Sequence, residues 1–244
     1  MTLRALIFDV DGTLADTEEG HRQAFNLAFA DHDLHWNWTR RLYMDLLRIA
    51  GGKERLVYYI RSLGWPEEKT AATLELIPAI HASKTRHYTA RIASGGLSVR
   101  PGIARLLREA RESGLRLAIA STTTRSNIDA LLAGSFGIES CGWFDVIACG
   151  DQVEAKKPAP DIYELALTRL QTRPAHCAAF EDSANGVNAA KAAGIFTVVS
   201  PTQWTLRDDL SAADMLIPGF DEMHLLQLVR NEHAHWPMQH PEAA

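Results

Sequence analysis

The feature that most constrains this chain is a short apolar run, Ala5-Leu-Ile-Phe, that ends directly on Asp9-Val-Asp-Gly-Thr. Comparable runs recur at Leu117-Ala-Ile-Ala120, Phe144-Asp-Val-Ile-Ala148, Cys177-Ala-Ala-Phe180 and Thr197-Val-Val199, most of them followed by a helical pattern. Each is too short for a helix, and its apolar character is continuous rather than alternating. That is how strands read when helices cover both faces of their sheet. The pattern predicts an α/β fold with a Rossmann-like, mainly parallel sheet as its core.

Between the first two runs the pattern turns helical for roughly eighty residues. Apolar residues return at helical spacing from Thr17 to Ala30, and similar segments run from Thr39 to Ile49, Lys53 to Leu63 and Glu67 to Tyr88. Gly95-Gly96 and Arg100-Pro101-Gly102 punctuate the return. The expected organisation is a core of residues 1–15 and 98–230, a helical cap inserted after the first strand over 16–97, and a loosely held tail over 231–244. The tail histidines His233, His235 and His240 lack the carboxylate or thiol framework of a metal site.

Composition narrows the partners. At 46% hydrophobic and 23% charged residues the 244-residue chain has ordinary globular make-up. Its net charge of -5 argues against a nucleic-acid reader, which usually presents a basic face. No stretch approaches the ~18 apolar residues of a membrane span, and Met1 to Asp9 lacks a signal-peptide pattern. Cys141, Cys149 and Cys177 form no CxxC pair and read as buried thiols in a reducing compartment. A cytoplasmic monomer with neither nucleic-acid nor membrane partners is expected.

The chemistry sits at the strand ends. Residues two apart on a strand share a face, so Asp9 and Asp11 can address one site. Two ionised carboxylates at ~4 Å repel by about 4 kcal/mol at an effective dielectric near 20, so a cation or a shared proton must accompany them. An EF-hand loop also begins D-x-D, but Leu14 and Gly20 fall where such a loop needs its glycine and final glutamate. Glu181-Asp182 ends another strand, although Asp182 or Ser183 could simply cap the helix that follows. In open α/β sheets ligands gather at the carboxyl ends of strands, where the two acidic pairs should meet and form a hard-cation site suited to Mg²⁺. Ser121-Thr122-Thr123-Thr124 offers hydroxyls and N–H groups to phosphate oxygens, with helix capping as the competing explanation. Lys156-Lys157-Pro158 adds cationic charge near the same end of the sheet.

Taken together, these four strand ends resemble the four motifs of the haloacid-dehalogenase-like superfamily: Asp9-Val-Asp-Gly-Thr, Ser121, Lys157 and Glu181-Asp182. The insertion resembles the cap of the β-phosphoglucomutase-like branch. Thr17-Glu18-Glu19, His21-Arg-Gln-Ala-Phe-Asn26, Gly51-Gly-Lys-Glu-Arg55, Arg100-Pro-Gly-Ile103 and Glu181-Asp-Ser-Ala-Asn-Gly186 are similar to the CbbY-type phosphatases. The resemblance implies a Mg²⁺-dependent phosphatase acting on a small sugar phosphate, foremost the 1-phosphate of xylulose-1,5-bisphosphate. A phosphosugar mutase, a phosphoglycolate-type phosphatase and a non-catalytic sugar-phosphate sensor are the alternatives.

The implied roles are specific. Asp9 is the nucleophile and forms an aspartyl-phosphate. Asp11 is the general acid and base, with a pKa expected above that of Asp9. Mg²⁺ is held by Asp9, the main-chain carbonyl of Asp11 and Asp182, with Glu181 nearby through water. Lys157, Ser121, Thr122 and Thr123 steady the phosphoryl group. In the cap, Gly51 and Gly52 allow close backbone approach, and Lys53 and Arg55 are candidates for a second phosphate, a solvated helix start being the other reading of Lys53 and Glu54. Glu18, His21, Arg22 and Tyr43 are expected to face the sugar.

Overall fold

The computed structural model describes residues 3–95, 97–221 and 223–225. The chain runs through β1 (Ala5–Phe8) and leaves it for α1 (Glu18–Asp31), α2 (Arg40–Leu46), α3 (Gly52–Ser62), α4 (Glu67–Leu74) and α5 (Ile77–Ala93). It returns through α6 (Ile103–Glu112), β2 (Arg116–Ser121), α7 (Arg125–Phe136) and β3 (Val146–Cys149). The last elements are α8 (Asp161–Leu170), β4 (Cys177–Glu181), α9 (Ala184–Ala192), β5 (Phe196–Val199) and β6 (Met215–Leu216).

Among the described residues the strands form one parallel sheet in the order β3-β2-β1-β4-β5-β6. The α/β, Rossmann-like expectation therefore holds. Period-two alternation divides the strand side chains between two layers. Leu6, Phe8, Leu117 and Ile119 meet residues of α6 and α7 on one face. Ala5, Ile7, Ala118 and Ala120 meet α8 and α9 on the other, where small alanines let those helices lie close.

The helical insertion has a core of its own. Phe25, Phe29, Trp38, Tyr43, Leu56 and Ile60 are all buried there. Trp38 lies tilted against Phe25 at 4.7 Å and edge-on to Phe29 at 4.9 Å, the edge-on pair suiting the ring quadrupoles. Two chain segments join this cap to the sheet. Asp16 N donates to Ser98 O (3.1 Å), Arg100 N donates to Leu14 O (3.0 Å), and Ala15 bridges Val99 in antiparallel fashion.

The structure departs from expectation in two places. The segment from Glu67 to Tyr88 is two helices, because Pro78 lies in the first turn of α5, where its missing N–H is tolerated, and would break a continuous helix. The two-residue edge strand β6 is too short to leave a pattern in the sequence. The expected tail, 231–244, lies outside the described residues. No described helix is long and apolar enough to cross a membrane, and Cys149 and Cys177 are buried free thiols.

Candidate active site

Parallel pairing sets the ends of β1, β2 and β4 side by side, with Phe8 in register with Ile119 and Phe180. Asp9 follows β1, and its N–H donates to Phe180 O at 3.0 Å. Lys157, from the segment after β3, donates to Asp9 Oδ1 at 2.7 Å and to Glu181 Oε1 at 2.6 Å. Tyr163 of α8 donates its hydroxyl to Glu181 Oε1 at 2.6 Å, and Asp182 N donates to Glu181 Oε2 at 3.2 Å. Oxygens of Asp9, Glu181 and Asp182 lie within 4.8 Å of one another, all buried.

Burial raises the Asp9 carboxyl, the Lys157 ammonium opposes it, and the charges of Glu181 and Asp11 add to it, leaving Asp9 pushed up to about 8. Burial, then Asp9 and Glu181, push Asp182 well above the usual carboxylate range. For Lys157 burial acts downward but is outweighed by Asp9 and Glu181, which hold it above the ordinary lysine value. Three buried carboxylates cluster around one ammonium that bonds only Asp9 and Glu181, so the cluster lacks positive charge. A donor set made only of carboxylate oxygens fits a small hard cation.

Two glycines make room for this cluster. Gly12 has φ +84, and a Cβ there would strike the Asp182 carboxylate. A Cβ on Gly186, in the first turn of α9, would fall on the Glu181 carboxylate. The Gly12 turn was legible in the sequence. The demand at Gly186 comes from packing alone.

Asp11 faces the cap rather than the acidic trio. Its Oδ1 accepts from Thr17 Oγ1 at 2.7 Å and pairs with His21 Nε2 at 2.8 Å. Lys84 Nζ, from α5, stands 2.7 Å from His21 Nδ1. Burial acts to raise the Asp11 carboxyl, but the charge and hydrogen bond of His21, then Thr17 and Lys84, hold it well below the usual range. The expectation that Asp11 would titrate above Asp9 is therefore reversed in this structure. The cause is the pair of groups bonded to Asp11, His21 and Thr17, backed by the charge of Lys84, which was not anticipated at all.

A cavity of about 480 Å³ lies between cap and sheet. Asp9, Asp11, Lys157, Asp182, Ser121, Thr122 and Thr123 line its sheet side, and Glu18, His21, Gly51, Gly52 and Arg55 its cap side. Five expected residues are not on its wall. Arg22 is spent on Glu19 and Trp38 O. Tyr43 donates to Glu18 Oε2 at 2.9 Å. Lys53 pairs with Asp151 of the sheet domain. Glu54 and Glu181 lie behind the lining, Glu54 against Gly51 and Glu181 beneath Lys157. Arg55 reaches the wall, although its donors already serve Leu46 O, Ile49 O and Tyr43 Oη. The sequence reading missed Lys84, His81, Arg41, Arg48, Asn127 and Trp204, which also line the cavity. A lysine at a helical core position gives no sign of its role until the helix packs.

Comparison with known proteins identifies the family. Residues 3–194 match the model of the haloacid dehalogenase-like hydrolases. The plasmid CbbY protein of Cupriavidus necator is 52% identical over 216 residues, 88% of this chain and 85% of that protein. CbbY of Rhodobacter capsulatus is 52% identical over 219 residues, 89% of this chain and 94% of that protein. The crystal structure of CbbY from Rhodobacter sphaeroides in complex with phosphate superposes with a TM-score of 0.83 at 44% identity, covering 91% of this chain and 96% of that one. A mutant of the same CbbY, matching equally well, was solved in complex with xylulose-1,5-bisphosphate. With its acidic trio, lysine and cap cavity arranged as described, the chain belongs to the haloacid dehalogenase-like hydrolases, alongside the CbbY proteins.

Proposed function

We propose that this phosphatase removes the 1-phosphate of xylulose-1,5-bisphosphate and releases xylulose 5-phosphate. The observation that carries the reading is one cavity walled by two carboxylates held by different donors, Asp9 by Lys157 and Asp11 by Thr17 and His21. Uncatalysed hydrolysis of such esters calls for accelerations up to ~10²¹-fold, so the work is divided among several groups.

Lys157 occupies Asp9 Oδ1, which leaves Oδ2 to attack phosphorus. The Asp9–phosphorus bond forms as the bond from phosphorus to the sugar oxygen breaks, and Asp11 gives that oxygen a proton. Water then attacks phosphorus, Asp11 takes its proton, and Asp9 is released with inorganic phosphate. A dianionic phosphate beside Asp11 disfavours its ionised form, which moves the carboxyl toward the protonated state that the first step needs. Ser121 and Thr122 on the cavity wall orient the phosphoryl group. The residues fit Mg²⁺ held by Asp9, Asp182 and the main-chain carbonyl of Asp11, with Glu181 behind Lys157. Such an ion supplies charge neutralisation at the phosphate oxygens and keeps Asp9 ionised.

A second phosphate is favoured by the cations of the cap wall, Arg41, Arg48, Arg55 and Lys84. The CbbY relative solved with the bisphosphate supports the same choice. The test is phosphate release from a panel containing xylulose-1,5-bisphosphate, β-glucose-1-phosphate with a bisphosphate primer, and phosphoglycolate, with and without EDTA. The expected outcome is highest kcat/KM for the bisphosphate, loss with EDTA, and no turnover by Asp9→Asn. Formation of glucose-6-phosphate in place of free phosphate would assign a mutase instead, and retention of turnover by Asp9→Asn would remove the nucleophile.

A further inference from the structure

The segment that follows β5 touches everything that must move together when the cap seats. Trp204 belongs to the sheet domain by sequence, yet it is 5% exposed and packs in the cap's own hydrophobic cluster. Its ring stands edge-on to Tyr43 at 5.8 Å, the Arg40 guanidinium lies 5.2 Å over it, and it also lines the cavity. The next residue, Thr205, places Oγ1 3.5 Å from Asp182 Oδ2. Among the described residues it is the one side-chain donor that reaches that carboxylate.

These two residues form one stiff unit. Thr202 N donates to Thr205 Oγ1 at 2.9 Å, and Trp204 N donates to Thr202 Oγ1 at 3.2 Å. Three residues on, Asp208 Oδ2 accepts from Ala184 N at 2.9 Å and so holds the start of α9, directly after Asp182 and Ser183. Upstream, Arg100 of the cap linker donates to Ser200 O at 2.7 Å and to Gly12 O at 2.7 Å. A cross-linked turn transmits displacement rather than absorbing it, because its hydrogen-bonded groups shift as a body.

We propose that Trp204 and Thr205 are positioning residues that couple seating of the cap to placement of the Asp182 carboxylate, so the acidic trio takes its cation-binding arrangement when Tyr43 and the rest of α2 are packed on Trp204. Trp204 is the cap-facing anchor, and Thr205 carries its position to Asp182. The proposal deepens the reading given above but uses the cation site alone, so it can fail while the phosphatase reading stands.

The test uses the full chain without substrate. Mg²⁺ binding is followed by titration calorimetry, and hydrogen exchange is followed in peptides covering α2 (Arg40–Leu46). Trp204→Ala is expected to accelerate exchange in α2 and to weaken Mg²⁺ binding by about tenfold, with Trp204→Phe returning both to within about threefold of the parent. Thr205→Val is expected to weaken Mg²⁺ binding by a similar factor while α2 exchange stays at the parent rate, and Thr205→Ser is expected to restore it. Parent-strength Mg²⁺ binding in Trp204→Ala with fast α2 exchange would reduce Trp204 to a packing residue and overturn the proposal. Parent-strength binding in Thr205→Val would overturn it equally, and that variant keeps the test open should Trp204→Ala fail to fold.

Discussion

At the scale of single residues, the site is governed by which side chains are absent as much as by those present. Gly186 sits in the first turn of α9, where alanine would ordinarily favour the helix by about 1 kcal/mol. Its Cβ would instead fall on the Glu181 carboxylate, which is fixed by Lys157 and Tyr163. Gly186→Ala is therefore expected to lower unfolding free energy by about 2 to 4 kcal/mol and to cut turnover, as urea denaturation and phosphate release would report. A variant as stable and active as the parent would mean that Glu181 relocates freely. Lys84 offers a second test at this scale. Burial, partly offset by the charge of Asp11, brings its ammonium from 10.5 down to about 8. The unfolded chain then binds more protons between about 8 and 10.5, so the cost of burying the charge disappears as pH rises through that window. Against Lys84→Met, the parent should gain up to about 3 kcal/mol of relative stability between pH 7 and pH 10.5. Parallel pH profiles for the two proteins would show that Lys84 is not buried as an ammonium.

At the scale of elements, the linker that joins cap to sheet is held by one side chain. Arg100 donates to Gly12 O, Ser200 O and Ser200 Oγ, each at 2.7 Å, and its guanidinium lies 4.8 Å over the Phe220 ring. Lysine lacks the planar fork that serves several acceptors at once. Arg100→Lys is accordingly expected to cost about 1 to 3 kcal/mol of stability, measured by thermal unfolding, and to raise KM, because both the nucleophile loop and the segment carrying Trp204 lose their shared anchor. A KM unchanged beside a lowered Tm would confine Arg100 to a structural role. Elements also mark what the sequence made legible. The strands were readable because residues covered on both faces are apolar without interruption, and the carboxylates broke that run where each strand ends. The division into α4 and α5 was written in Pro78 but hidden by apolar residues that keep helical spacing across it. Trp204 gave no signal, since its partners Tyr43 and Arg40 lie more than a hundred residues away in the chain and meet it only through packing.

At the scale of the molecule, the cap meets the sheet domain through Ala24, Tyr88 and Ile92, which pack in the sheet's hydrophobic core, through Thr17 and His21 at Asp11, and through polar contacts at the cavity rim. The acidic trio and Lys157 could be anticipated because strand ends converge by topology, whereas which cap side chains face the cavity depends on how α1, α3 and α5 are rotated. That is why Lys53, expected to face substrate, pairs instead with Asp151 of the sheet domain, and Lys84 and His81 take places on the wall. The Lys53–Asp151 pair is solvent-exposed, so salt screens it, with a Debye length falling from ~10 Å at 0.1 M toward ~3 Å at 1 M. A neutral contact, Asn185 Nδ2 to Arg48 O at 3.0 Å, joins the same two domains and is far less sensitive to salt. The two variants Asp151→Asn and Asn185→Ala separate these contributions. Small-angle scattering should give the parent a radius of gyration that grows with salt as the cap loosens. Asp151→Asn should start at the larger value and vary little, while Asn185→Ala should start larger yet keep the parent's salt dependence. An Asp151→Asn protein that follows the parent at every salt concentration would show that this ion pair has no part in holding the cap.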